Sequence, residues 1–183
     1  MEPERAWVSR IEQPHDPSDW VAVVNEVACG SCCKYRLDKA TGQLALARAL
    51  PPGVSFPTNY GFIPHTRSEA DDEETDVLVL SREPLLPLTI VRVRIVGGFL
   101  ETNSHKRAVE MRLLAVTIDD PAVEHVRDLA DVAADLKSRI EAFVMTAKEN
   151  QEIEVSFDGW LERDAALARL RRAFQTGNKR TAK

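Results

Sequence analysis

The chain has 183 residues, 44% of them apolar and 29% charged, the balance of an ordinary globular protein able to bury a core. Twenty-four Lys and Arg stand against 29 Asp and Glu, a net charge of −5, which argues against a nucleic-acid partner held by bulk charge. No apolar run approaches the roughly 20 residues that cross a bilayer, and the first 20 residues hold no hydrophobic signal core. The expected address is therefore the cytoplasm, with no membrane partner.

The predicted elements belong to one domain over 1–183. Residues 1–18, with Pro3, Pro14 and Pro17, read as an irregular arm. Residues 20–27 are β-rich and form the first predicted strand. Cys29, Cys32 and Cys33 follow in Cys-Gly-Ser-Cys-Cys. A C-x-x-C pair suits zinc or a redox disulfide, but a structural zinc site needs four ligands and no second pair follows. The reading is a structural loop, with redox or metal chemistry left open. The turn Lys39-Ala-Thr-Gly42 separates two short strands at 34–37 and 43–47.

From 49 to 70 the chain is punctuated by Pro51, Pro52, Gly53, Pro57, Gly61 and Pro64, the pattern of an ordered loop region. Residues 76–80 are a short buried strand. Over 88–100, Val and Ile alternate with Arg92 and Arg94 in a half-buried strand, and Gly97-Gly98 allows a bulge that helps close a barrel. A strand over 110–116 follows the polar loop 102–107. Leu129, Val132, Leu136, Ile140, Phe143 and Val144 recur at three and four, predicting a helix over about 127–148. A last strand at 152–161, a helix at about 163–176 and a frayed basic tail at 177–183 complete the chain. Strands followed by helices argue an α+β fold built on a small closed or nearly closed barrel.

Three features carry chemistry. Glu69, Asp71, Asp72, Glu73, Glu74 and Asp76 crowd ahead of the buried strand. Such a run is most simply a solvated loop, yet its abutment on an apolar strand sets Asp76 at the sheet edge. Carboxylates there suit Mg²⁺ with water and a phosphate substrate. The second feature is Phe56-Pro-Thr-Asn59-Tyr60-Gly61, read as a packed turn in which Asn59 bonds the backbone and Gly61 supplies an unusual φ. The third is a set of cations, Lys34, Arg48 and Arg112, each a surface charge if taken singly.

In order, Glu26, Lys34-Tyr35, Arg48, Pro57 to Gly61, Asp71 to Val79, Val96-Gly97, Lys148 and Gly159-Trp160 resemble the family I inorganic pyrophosphatases over about residues 18–175. The resemblance implies a five-stranded OB-like barrel with helices and hydrolysis of pyrophosphate to two phosphates by metal-activated water. It implies Mg²⁺, with Mn²⁺ as a substitute, and a homo-oligomer. Carried over, Asp71 and Asp76 ligate metal, Glu26 assists through water, and Lys34, Arg48, Tyr60 and Lys148 clamp phosphate.

The departures fall on site positions. Glu73 stands where the family's water-orienting Asp does, Asn103 and Glu110 replace two metal-binding Asp residues, and Arg112 replaces a Lys that binds substrate. Arg36 stands for a Glu, while Phe56 and Ala147 stand for phosphate-binding Tyr residues. Five acidic positions of the family's seven remain: Glu26, Asp71, Glu73, Asp76 and Glu110. The catalytic set implied is Glu73, Asp71 and Asp76. Fewer acids and an added cation lower metal affinity and raise attraction for a bare anion. The alternatives are an impaired relative that binds phosphate, a nucleotide or a protein partner, and hydrolysis of another phosphoanhydride or phosphoester.

Overall fold

The computed structural model describes residues 7–68, 72–104 and 108–181. Its strands are β1 (Val21–Val27), β2 (Cys33–Asp38), β3 (Gln43–Ala49), β4 (Asn59–Ile63), β5 (Thr75–Leu80), β6 (Ile90–Asn103), β7 (Ala108–Thr117) and β8 (Val155–Glu162). The two α-helices are α1 (Ala134–Thr146) and α2 (Arg163–Thr181). Strands run in the order β1-β4-β5-β7-β6-β8, and β1 also pairs with β6, so five strands close a barrel and β8 extends it from β6. The α+β barrel expected from the sequence is what forms. β5 and β7 are parallel, whereas the other pairings are antiparallel. No described helix is long and apolar enough to cross a membrane.

Alternation along each strand gives the barrel two distinct apolar faces. The inner face gathers Val21, Val23, Ile63, Val77, Val79, Val93, Ile95, Leu113 and Ala115, and Ala166, Leu167 and Leu170 of α2 pack against them. The outer face carries Tyr60, Leu78, Leu80, Phe99, Leu114 and Val116, covered by Ile140 and Val144 of α1. Because α1 and the 50–57 segment leave part of that outer face uncovered, polar side chains from the same strands meet there. β2 and β3 stand apart as a hairpin, its turn closed by Gly42 at φ 71° and by Asp38 Oδ1 accepting from the Ala40 amide at 2.9 Å.

Several local readings change. The helix expected over 127–148 begins only at Ala134. Residues 129–131 form a separate 3₁₀ turn, closed by a reciprocal Asp128/Asp131 capping box, and Val132 then turns extended at ψ 126°. Leu129 and Val132 still reach the core, so the periodicity reported burial rather than one continuous helix. α2 runs through Gly177 to Thr181, beyond the expected end at 176 and into the expected tail. The strand expected to stop at 100 continues to Asn103, which draws the start of the 102–107 loop into the sheet. Between Ile95 and Gly97 the register shifts, the irregularity that Gly97-Gly98 suggested.

β4 lies inside the region expected to be loop, its signal masked by Pro57, Gly61 and Pro64. Asn59 does bond the backbone: its Oδ1 accepts from the Cys29 and Leu85 amides at 3.0 and 2.8 Å. Gly61, by contrast, has no positive φ. Its role is close approach, since a Cβ there would lie 2.1 Å from the Val24 carbonyl oxygen of β1. Gly61→Ala must push β4 off β1, an overpacking cost of about 3 kcal/mol. A thermal melt is expected to fall by roughly 6–12 °C, and an unchanged midpoint would refute this account.

Candidate active site

The hairpin register sets Lys34 directly opposite Arg48, which brings two cations from different strands to one rim. Both side chains enter a small cavity of about 40 Å³ on the outer barrel face. Tyr60 from β4, Glu101 from β6, Arg112 from β7 and Lys148 from the segment after α1 complete its polar lining. Phe56, Phe99, Phe143 and Ala147 form its apolar wall. Lys34 Nζ donates to the Tyr60 hydroxyl at 3.3 Å, and that hydroxyl bonds the Asp76 carboxylate. Arg48 Nε is buried and has no hydrogen-bond partner among the described residues.

Behind these cations lies an unusual nest. Arg112, 13% exposed, bonds Asp76 through Nη1, Glu110 through Nη2 at 2.6 Å and Glu101 through Nη2 at 3.2 Å. The three carboxylates come from β5, β7 and β6. The β6–β7 register sets Glu101 opposite Glu110. Glu101 also faces Lys148 Nζ at 3.6 Å. Burial pushes the Asp76 carboxyl up, but Arg112 and Lys34 outweigh it and hold the carboxyl below its ordinary value. Arg112, burial notwithstanding, is driven well above its ordinary value by Asp76 and the other acids. Burial lowers Lys34 to about 8, against the pull of Asp76. Lys148 is lowered by burial too, with Glu101 opposing.

A second, larger opening of about 400 Å³ adjoins the first at Asp76. Glu26, Arg36, Glu73 and Glu74 line it along with Asp76. Glu26 Oε1 accepts from the Leu37 amide at 2.6 Å, which ties β1 to the hairpin. Burial, reinforced by Asp76, raises the Glu26 carboxyl to about 7. Arg36 and Glu73 form a two-pronged ion pair at 3.1 and 2.8 Å on the rim.

The sequence-derived set is thus divided in space. Lys34, Arg48, Tyr60, Arg112 and Lys148 share the cationic cavity, whereas Glu26, Glu73 and Asp76 share the acidic groove. Glu110 lies beneath Arg112, and Asp71 lies outside the described residues. Arg112, expected on substrate, is instead bound by three acids. Glu73 sits on Arg36 at the rim. Glu101 was missed, because the strand was ended at residue 100. Extending the alternation two residues beyond Phe99 would have placed it on the outer face.

Among the described residues no three His, Cys, Asp or Glu side chains form a ready-made metal cage. The donor chemistry nevertheless fits a hard divalent cation, since carboxylate oxygens from three strands converge on one positive group. Five acids (Glu26, Glu73, Asp76, Glu101, Glu110) face five bases (Lys34, Arg36, Arg48, Arg112, Lys148), so the described site is close to neutral. An anion is drawn to the cavity, and a cation to the groove.

A family model described as inorganic pyrophosphatase matches residues 23–178. The chain is 37% identical over 156 residues to the inorganic pyrophosphatase of Thermus thermophilus, across 82% of this chain and 86% of that one. It is 35% identical over 145 residues to soluble inorganic pyrophosphatase 1 of Arabidopsis thaliana, across 79% of this chain and 67% of that longer protein. The crystal structure of the Thermus thermophilus inorganic pyrophosphatase superposes with a TM-score of 0.87 at 33% identity, covering 93% and 98% of the two chains. The inorganic pyrophosphatase from Helicobacter pylori gives 0.86 at 30% identity, covering 92% and 99%. The family model, the sequence relatives and the structural neighbours agree, and the chain belongs to the family I inorganic pyrophosphatases.

Proposed function

We propose that this chain hydrolyses inorganic pyrophosphate to two phosphates at the paired cavity and groove, with Mg²⁺ as its cofactor and Mn²⁺ as a substitute. The observation that carries the reading is the convergence of Lys34, Arg48, Tyr60 and Lys148 on one cavity in which the buried Arg48 Nε lacks an acceptor. A phosphate oxygen supplies that acceptor, and charge-assisted bonds from Lys34 and Lys148 hold the same group. Pyrophosphate is longer than the small cavity, so its second phosphoryl group extends past Asp76 into the groove. Asp76, Glu26 and Glu110, with Asp71, are the oxygen donors for the metal. When bound, Mg²⁺ supplies charge neutralisation of the substrate and a lowered pKa for a water it coordinates.

The remaining chemistry belongs to the chain. In hydrolysis a water oxygen bonds to one phosphorus, the bridging P–O bond breaks with its electron pair on the departing phosphate, and the water's two protons end one on each phosphate. Glu73, at the groove rim, is the carboxylate assigned to orient that water, and it can do so only on release from Arg36. Arg112 spaces Asp76, Glu101 and Glu110 and adds positive charge behind the cavity. The added cation Arg36 favours a second reading, anion binding with little turnover. The cytoplasmic address and a homo-oligomeric assembly are further parts of this proposal, and exposed Leu46, Leu86 and Ile90 are apolar surface that self-association would cover.

Three outcomes are expected. Phosphate release from pyrophosphate should saturate with Mg²⁺ near the median enzyme rate of about 10 s⁻¹, and Asp76→Asn should lower it by at least about 10²-fold. A folded chain with no release above a metal-only blank would select the second reading. Arg112→Met removes the cation that three buried acids share, a loss of about 3–5 kcal/mol in chelator. Mg²⁺ should raise the melting temperature of that variant more than that of the wild type, and equal shifts would contradict convergence on one cation position. In chelator, phosphate affinity should fall as pH rises through about 8, where Lys34 loses its proton. Since its folded pKa lies below the ordinary 10.5, the charge is fully present only below that window. Lys34→Arg should move the fall upward, because a guanidinium keeps its proton there. A fall at the same pH would exclude Lys34 as its source.

A further inference from the structure

The strands that present the site on their outer face line a second cavity on their inner face, about 160 Å³ in volume, beside the last turns of α2. Three arginines line it: Arg67 from the turn after β4, and Arg169 and Arg172 from α2. The two helical arginines are three residues apart and so share one helix face. The Arg67 amide donates to the Ala173 carbonyl at 2.9 Å, which fixes the turn against the helix, and Arg67 Nη1 donates to the Asp72 carbonyl. Among the described residues no acidic side chain lines this cavity.

Thr75 supplies the second, independent observation. It is only 3% exposed and lines the cavity, yet its hydroxyl has no hydrogen-bond partner among the described residues. A buried hydroxyl without a partner is costly and marks a place where one is expected. Three positive groups around a buried donor call for an anion with several acceptor oxygens.

We propose that this inner-face cavity binds a free phosphate-sized oxyanion through Arg67, Arg169 and Arg172, with the Thr75 hydroxyl as a buried donor. The volume decides between a free ion and a larger phosphoester. It equals about five waters and falls below the roughly 300 Å³ at which pockets for larger organic ligands begin. The position decides what the ion touches. Thr75 is followed directly by Asp76, and Met111, which also lines the cavity, lies between Glu110 and Arg112. An ion held there steadies two strand ends from behind while their alternate residues form the outer site. Nothing in the proposal depends on turnover at that outer site.

The test is equilibrium binding of inorganic phosphate to the full chain by calorimetry in chelator, with two pairs of substitutions. The wild type should bind phosphate in two classes. Arg169→Gln with Arg172→Gln, both on exposed positions, should weaken one class by at least about tenfold and leave pyrophosphate hydrolysis measurable. Lys34→Gln with Arg48→Gln should remove the other class only. Thr75→Val should weaken the first class, and Thr75→Ser should retain it. Phosphate binding unchanged in number and affinity by the Arg169/Arg172 pair would overturn the proposal. So would a class lost with Lys34 and Arg48 that leaves none behind, and adenosine monophosphate binding as tightly as phosphate would overturn the assignment to a free ion.

Discussion

A single buried guanidinium organises this molecule's functional end. Arg112 is bound by Asp76, Glu101 and Glu110, one acid from each of three neighbouring barrel strands. Three carboxylates at that separation repel one another strongly where water is scarce, so the strands can hold them there only with a cation between. The barrel register supplies the convergence, because Glu101 stands opposite Glu110 and the parallel β5–β7 pairing sets Asp76 alongside. The geometry of every other charged group in the site is then measured from that nest.

Around it, cations predominate in the cavity and carboxylates in the groove. The β2–β3 hairpin lies outside the barrel and delivers Lys34 and Arg48 together, while the segment after α1 delivers Lys148 to Glu101. Lys34 reaches Asp76 through the Tyr60 hydroxyl, so the cationic cavity and the acidic groove share one wall. The apolar residues Phe56 and Ala147 give that cavity a wall without hydroxyl groups. Phe56 packs on Tyr60 and Phe143 at ring separations of 5.4 and 4.7 Å.

Period-two alternation gives the same strands two unrelated duties. Asp76, Glu110 and Arg112 face outward to the site, and Thr75, Val109 and Met111 face the opposite way toward α2. The helix closes on that side to within touching distance of the turn after β4, where a Cβ on Gly177 would stand 2.1 Å from the His65 carbonyl oxygen. Such close packing is what makes the two faces mechanically one layer.

Much of this was legible beforehand. Alternating Val and Ile marked the barrel strands, the Lys39–Gly42 turn marked the hairpin, and the ordered motifs marked the family, since local chemistry and spacing are properties of the chain itself. Glu26, Lys34, Arg48, Tyr60, Asp76 and Lys148 stand out as candidates because each sits in a motif. Glu101 was not, because a lone Glu at a strand end has no local signature and acquires meaning only from Glu110 and Arg112 across the sheet. Helix bounds erred where tertiary burial, not helical geometry, kept Leu129 and Val132 in phase with Ile140. The sequence by itself determined which residue types are present and the faces they occupy on each strand. Only the tertiary structure decided that Arg112 would be bound by acids, that Arg36 would hold Glu73 at the rim, and that Lys34, Arg48 and Lys148 would meet in one cavity while Glu26, Glu73 and Asp76 line another. Those outcomes depend on strand register and long-range Coulomb pairing, which no local stretch of chain encodes.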